Sequence, residues 1–97
     1  MAHVLRAVGE LHLARGAAAQ ALAAFERAAR IFAQRGDEPH ELDLARFGVA
    51  RALWITGRDR PRAVELARNA LTSLEAAHVD DEAARIRAWL ATTVPAR

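Results

Sequence analysis

The feature that most limits the fold of this chain is that it resembles itself. Gly16 returns as Gly57 and Val8 as Val49, both 41 positions on. Further along, the offset becomes 42: Ala21 maps to Ala63, Leu22 to Val64, Ala28 to Ala70, Ala29 to Leu71 and Phe32 to Leu74. One extra residue therefore lies between Gly57 and Ala63, inside Arg58-Asp59-Arg60-Pro61-Arg62. A final segment maps back at 41, with Leu42 on Ala83, Ala45 on Ile86 and Val49 on Leu90. Periods of this length mark stacked supersecondary units, each needing a neighbour to cover an apolar face. The chain holds about two and a half of them.

Each unit reads as a helical hairpin. Alanine, leucine, arginine and glutamate favour helix, and no stretch shows the period-2 alternation of a strand. Five antiparallel helices are expected. The first runs from about Ala2 to Arg15, with Val4, Val8 and Leu11 on one face, and ends at Gly16. The second runs from about Ala18 to Arg35, with Leu22, Phe25, Ala29 and Phe32 as its stripe and Gly36 as a left-handed stop. Asp37 or Glu38 caps the third, and Pro39 suits its first turn. The third reaches Thr56, with Leu42, Ala45, Val49 and Leu53 on one side, Phe47 and Trp54 on another, and Gly57 as its stop. The fourth spans about Pro61 to His78 and is lined by Val64, Ala67, Leu71 and Leu74. Asp80 is read as the N-cap of a fifth helix to about residue 93, with Ala83, Ile86 and Leu90 inward. Pro95 falls in the tail. The expected division is one domain over residues 1–97, with hairpins at about 2–35 and 38–78 and a capping helix at about 80–93.

Composition removes several functions. With no cysteine, disulfides, zinc-thiolate sites and cysteine nucleophiles are excluded. The longest uncharged run, residues 16–25, is far short of the ~20 apolar residues that cross a bilayer. The start lacks a signal-peptide core, so a cytoplasmic location is expected. All fourteen basic residues are arginine, yet the formal net charge is only +2. The acids are interspersed with the arginines, which is unlike the concentrated basic face of a nucleic-acid binder.

The hairpins resemble the tetratricopeptide repeat. The first carries Val8-Gly9, Gly16, Ala21, Phe25 and Ala28 at the family's spacings. The second carries Val49-Ala50, Gly57, Ala63 and Ala70, but has Ala67 where the aromatic is expected. The family's terminal proline is missing from both units. The period exceeds the family's common length of about 34 residues and is similar to extended variants in large bacterial regulators, where such arrays accompany Ser/Thr kinase domains and signalling ATPases. The resemblance implies an all-α α-solenoid whose first helices line a concave surface. It implies a scaffold that binds a peptide or protein partner, with no enzymatic activity and no cofactor. It also leaves an uncovered seam on the first helix, through Val4, Leu5 and Leu11, open to further repeats or to a second copy.

Positions matching the family's groove are His3, Arg6, Glu10 and Leu13 in the first unit and Phe47, Arg51, Trp54 and Ile55 in the second. Arg6, Glu10, Leu13, Phe47, Arg51 and Trp54 are the candidate partner-binding residues. Arg6 and Arg51 suit bidentate pairing with a partner's carboxylates. Phe47 and Trp54 suit apolar anchoring. The family's lysine and asparagine clamp for a peptide C-terminus is absent. Other chemistry is thin. Ser73, the only serine, has no histidine at a helical same-face spacing. The acids of residues 37–43 are explained by capping and the helix dipole, and no metal site is expected. His12 reads as a packed histidine. Trp89 reads as core. The alternative function is nucleic-acid binding through Arg58, Arg60 and Arg62 with Arg68. Asp59 and Glu65 weaken it.

Overall fold

A computed structural model describes residues 1–94. It contains α1 (Ala2–Ala14), α2 (Ala18–Arg35), α3 (Pro39–Thr56), α4 (Arg60–Ala76) and α5 (Asp80–Thr93), and no strand among the described residues. Pro95 lies outside them. Each helix packs on the next, and α1 also touches α3. Cross-contacts fix the directions. Arg6 meets Glu41 and Glu10 meets Arg51, so α1 and α3 run the same way and α2 runs against them. Asp43, early in α3, meets Ser73, late in α4, so that pair is antiparallel.

The turns follow the expected chemistry, with differences at the ends. Gly36 and Gly57 are left-handed, with φ of 71° and 75°. Their N–H groups donate to the Phe32 and Trp54 carbonyls. In the second hairpin His78 takes the place of Gly36, and it adopts the same left-handed backbone at φ 60°. That conformation crowds any Cβ. Helix α4 accordingly ends at Ala76, two residues before the expected stop. The extra residue of the second hairpin sits between Gly57 and Arg60. There Asp59, also left-handed, accepts a hydrogen bond from the Arg62 N–H at 3.3 Å and caps α4. Asp80 is not a cap. It occupies the first turn of α5 behind Val79, where its charge still suits the helix dipole. Glu38 holds the cap position of α3 without a side-chain hydrogen bond.

The core has two parts. One gathers Leu22, Phe25, Leu53, Leu74 and Ile86 with small residues from α2, α3 and α4. The other sets Phe32 against Ala2, Ala28 and Ala45. Helix α3 is buried on most sides, at Ala45, Phe47, Gly48, Val49, Ala50, Ala52 and Leu53. Both faces expected for it are therefore packed, as a helix surrounded by neighbours requires. In α4 the fully buried line is Ala63, Ala67, Ala70 and Leu74; Val64 and Leu71 are half-buried. In α1 the packed side is Ala2 and Gly9, with Leu5 against the Phe32 cluster. Val4 and Leu11 face outward at 61% and 49% exposure. One period on, their counterparts are Ala45 and Ala52, which are fully buried.

Phe25 is the tightest point. A Cβ on Gly9 would come within 2.8 Å of its ring, and one on Gly48 within 2.4 Å. Two helices thus reach the ring only because both offer bare backbone.

Candidate functional site

Helices α1, α3 and α5 line a groove along one side of the molecule. Its polar end is a cleft of about 290 Å³ bounded by Arg6, Glu10, Glu41, Arg51, Glu82 and Arg85. Its apolar end continues through Leu13, Ile55 and Trp89 and through Phe47, Ala88 and Thr92. All six candidate residues lie on α1 and α3, and five border the groove. Trp54 sits behind the wall, its ring 6.1 Å from Trp89.

The two arginines expected to meet a partner's carboxylates already hold internal ones. Arg51 forms a fork onto Glu10, with Nη1 donating to Oε1 at 3.1 Å and Nη2 donating to Oε2. Two parallel bonds of this kind fix orientation as well as charge. The Arg51 guanidinium also lies 4.8 Å from the Phe47 ring centroid, within cation–π range. Its Nε is buried without a partner. Arg6 donates through Nε to Glu41 at 3.0 Å. His3, a further position matched to the family's groove, does not line the cleft; it lies 2.7 Å from Glu38 and edge-on to Phe32.

Arg85 differs. It borders both ends of the groove, is exposed and has no ion-pair partner among the described residues. Trp89 stacks edge-to-face on Phe47 at 5.5 Å and joins the aromatic wall. Sequence reading put Trp89 in the core, against which it does pack, and Arg85 toward water, where it is exposed, but assigned neither these nor Ala88 to the groove. The signal was present in the period. Adding 41 to Arg6, Glu10 and Leu13 gives Phe47, Arg51 and Trp54, and adding 41 to Leu44, Phe47 and Arg51 gives Arg85, Ala88 and Thr92.

The remaining clusters separate. Among residues 37–43, Asp37 meets Arg35, Glu41 meets Arg6 and Asp43 turns inward. Among the described residues no group of three or more histidines or acids is placed to hold a metal ion. Asp43 is 5% exposed. Its carboxylate accepts from the Ser73 hydroxyl at 2.7 Å. Burial raises its pKa above the ordinary value, against the lowering effects of that bond, Arg46 and His40. Ser73 is thereby an inter-helix tie. The arginines after Gly57 diverge: Arg60 donates to the Trp54 carbonyl at 3.2 Å and lies over the Trp54 ring, while Arg62 approaches Glu26 on α2.

Among the described residues these features define an all-α fold of five helices with a groove that is polar at one end and aromatic at the other. Comparison with protein-family models, curated proteins and solved structures finds no match. No helix is long and apolar enough to cross a membrane among the described residues.

Proposed function

We propose that this chain is a helical-repeat interaction module of the tetratricopeptide kind, taking a peptide segment of a partner protein along the α1–α3–α5 groove. The observation that carries the reading is the groove's register. Positions one period apart on successive odd-numbered helices face the same channel, with Glu10, Arg51 and Thr92 as one row. Such an arrangement repeats a surface without repeating any catalytic geometry, so the reading assigns no reaction. Arg85 is the cation available to the partner, and Ile55 and Trp89 offer the apolar contact; Phe47, expected as an anchor, is buried and backs Trp89 instead. Arg6, Glu10, Leu13 and Arg51 shape the wall, and Trp54 supports it from behind. The long period favours a place in a cytoplasmic bacterial signalling protein. The exposed row of Val4 and Leu11 is where a preceding helix or a second copy would pack.

The test is selection of peptides from a random display library on the intact chain. Selected peptides are expected to lose affinity at least about tenfold, roughly 1.4 kcal/mol, on the exposed-site variants Ile55→Glu and Arg85→Glu, with helicity unchanged by circular dichroism. Equal binding to both variants removes the groove assignment. Sedimentation velocity checks the α1 seam: a concentration-dependent increase that disappears in Val4→Ser/Leu11→Ser supports it, and a monomer at all concentrations opposes a second copy there.

A further inference from the structure

A second recess lies on the other side of α3, away from the groove. Val49 stands two positions from both Phe47 and Arg51, a spacing that turns it roughly to the opposite side of a helix. Around it α2, α3 and α4 enclose a slot of about 230 Å³. Its apolar lining is Ala29, Ala33, Val49 and Leu66, and its polar lining is Arg30, Arg46, Arg62 and one acid, Glu26. Each of the three helices contributes one arginine. Arg62 and Glu26 are paired loosely, at 3.8 Å and both well exposed. Arg30 and Arg46 have no ion-pair partner among the described residues and are exposed.

We propose that this slot is a second docking site, selective for an acidic segment of a partner protein that places an apolar side chain between carboxylates. Size and charge both point there. The slot is smaller than the ~300 Å³ at which enclosed small-molecule pockets begin, so it accommodates side chains rather than a whole ligand. Three guanidiniums around an apolar lining complement carboxylates flanking an apolar residue, and each can bind a carboxylate through two N–H groups. Nucleic acid fits less well. The lining holds no aromatic ring on which a base would stack. The proposal is independent of the groove, since the two sites share no residue.

Fluorescence anisotropy on the full chain tests it with three labelled probes. One is a short peptide centred on Glu-Glu-Leu-Leu-Glu-Glu, the second its counterpart with lysine for every glutamate, and the third an oligothymidylate of matching charge. The acidic peptide is expected to bind, to weaken as salt is added, and to lose at least about tenfold in affinity on Arg30→Glu/Ala33→Glu. Arg46→Gln, which removes the charge but keeps a polar amide, is expected to weaken it less. Ile55→Glu and Arg85→Glu are expected to leave it unchanged, which separates this site from the groove. Absence of acidic-peptide binding overturns the proposal, as does binding indifferent to the α2 variant. Tighter binding of oligothymidylate at the same residues overturns it in favour of a nucleic-acid surface.

Discussion

The two helical junctions solve one packing problem with opposite residues. Where α1, α2 and α3 meet, Phe25 of α2 is fully buried against the bare backbones of Gly9 and Gly48. Where α3, α4 and α5 meet, the residues corresponding to Gly9 and Phe25 are Ala50 and Ala67, both fully buried, and Gly48 is replaced in register by Trp89. The aromatic bulk has moved from the even-numbered helix to the odd-numbered one. At the first junction it is sealed inside. At the second it is half-buried and forms part of the groove wall. Interiors are close-packed, so either arrangement can fill the volume, but only the second exposes an aromatic surface.

The largest effect expected from disturbing this contrast is at Phe25. Phe25→Ala leaves a cavity and should cost about 3–5 kcal/mol by urea denaturation. Gly48→Ala overpacks the same spot and should cost about 1–3 kcal/mol. The double variant puts two small side chains where the ring now meets bare backbone. Its cost should fall short of the summed single costs by about 0.5–3 kcal/mol, and strict additivity would mean the ring and glycine do not share the space. Ala67→Phe, which carries the first junction's bulk into the second, should destabilise by about 1–3 kcal/mol because Ala67 is already fully buried; a neutral result would show the second junction to be loosely packed. The turns that close the two hairpins give a smaller contrast of opposite sign. His78→Gly should raise stability and Gly36→Ala should lower it, each by roughly 1 kcal/mol, read as shifts in thermal midpoint.

The smallest effect is at Asp43. Burial raises its folded pKa above the 3.8 of an ordinary aspartate, so the folded chain binds a proton more readily than the unfolded one. Its contribution to stability therefore improves as pH falls through the raised value and is a cost above it. Asp43→Asn keeps an oxygen that can accept from Ser73. The variant should be slightly more stable than the parent near neutral pH, and the difference should close in acid. An unchanged difference across that range would show that the carboxylate is not the titrating group.

Helix positions were legible because glycine, proline and apolar spacing act locally. Gly36, Pro39 and Gly57 place three boundaries with no tertiary information. The Val79–Asp80 boundary and the early end of α4 were not legible, because they depend on how His78 adopts a backbone that its side chain disfavours. The burial of Asp43 was hidden as well: an acid near a helix start reads as dipole chemistry until α4 brings Ser73 against it. Of the groove, the α1 and α3 residues could be placed by resemblance. The internal pairing of Arg6 and Arg51 could not, since both partners lie at sequence distances set by the packing of α1 on α3.

The Arg51–Glu10 fork also bears on how fast a visitor arrives. Its charges cancel at short range, as those of Arg6 and Glu41 do, and Glu82 offsets Arg85, so the groove projects little field beyond a Debye length. Association there is expected at the unsteered rate of about 10⁵–10⁶ M⁻¹s⁻¹, with little response to ionic strength. Residence time, set by the aromatic wall, would then distinguish good partners from poor ones.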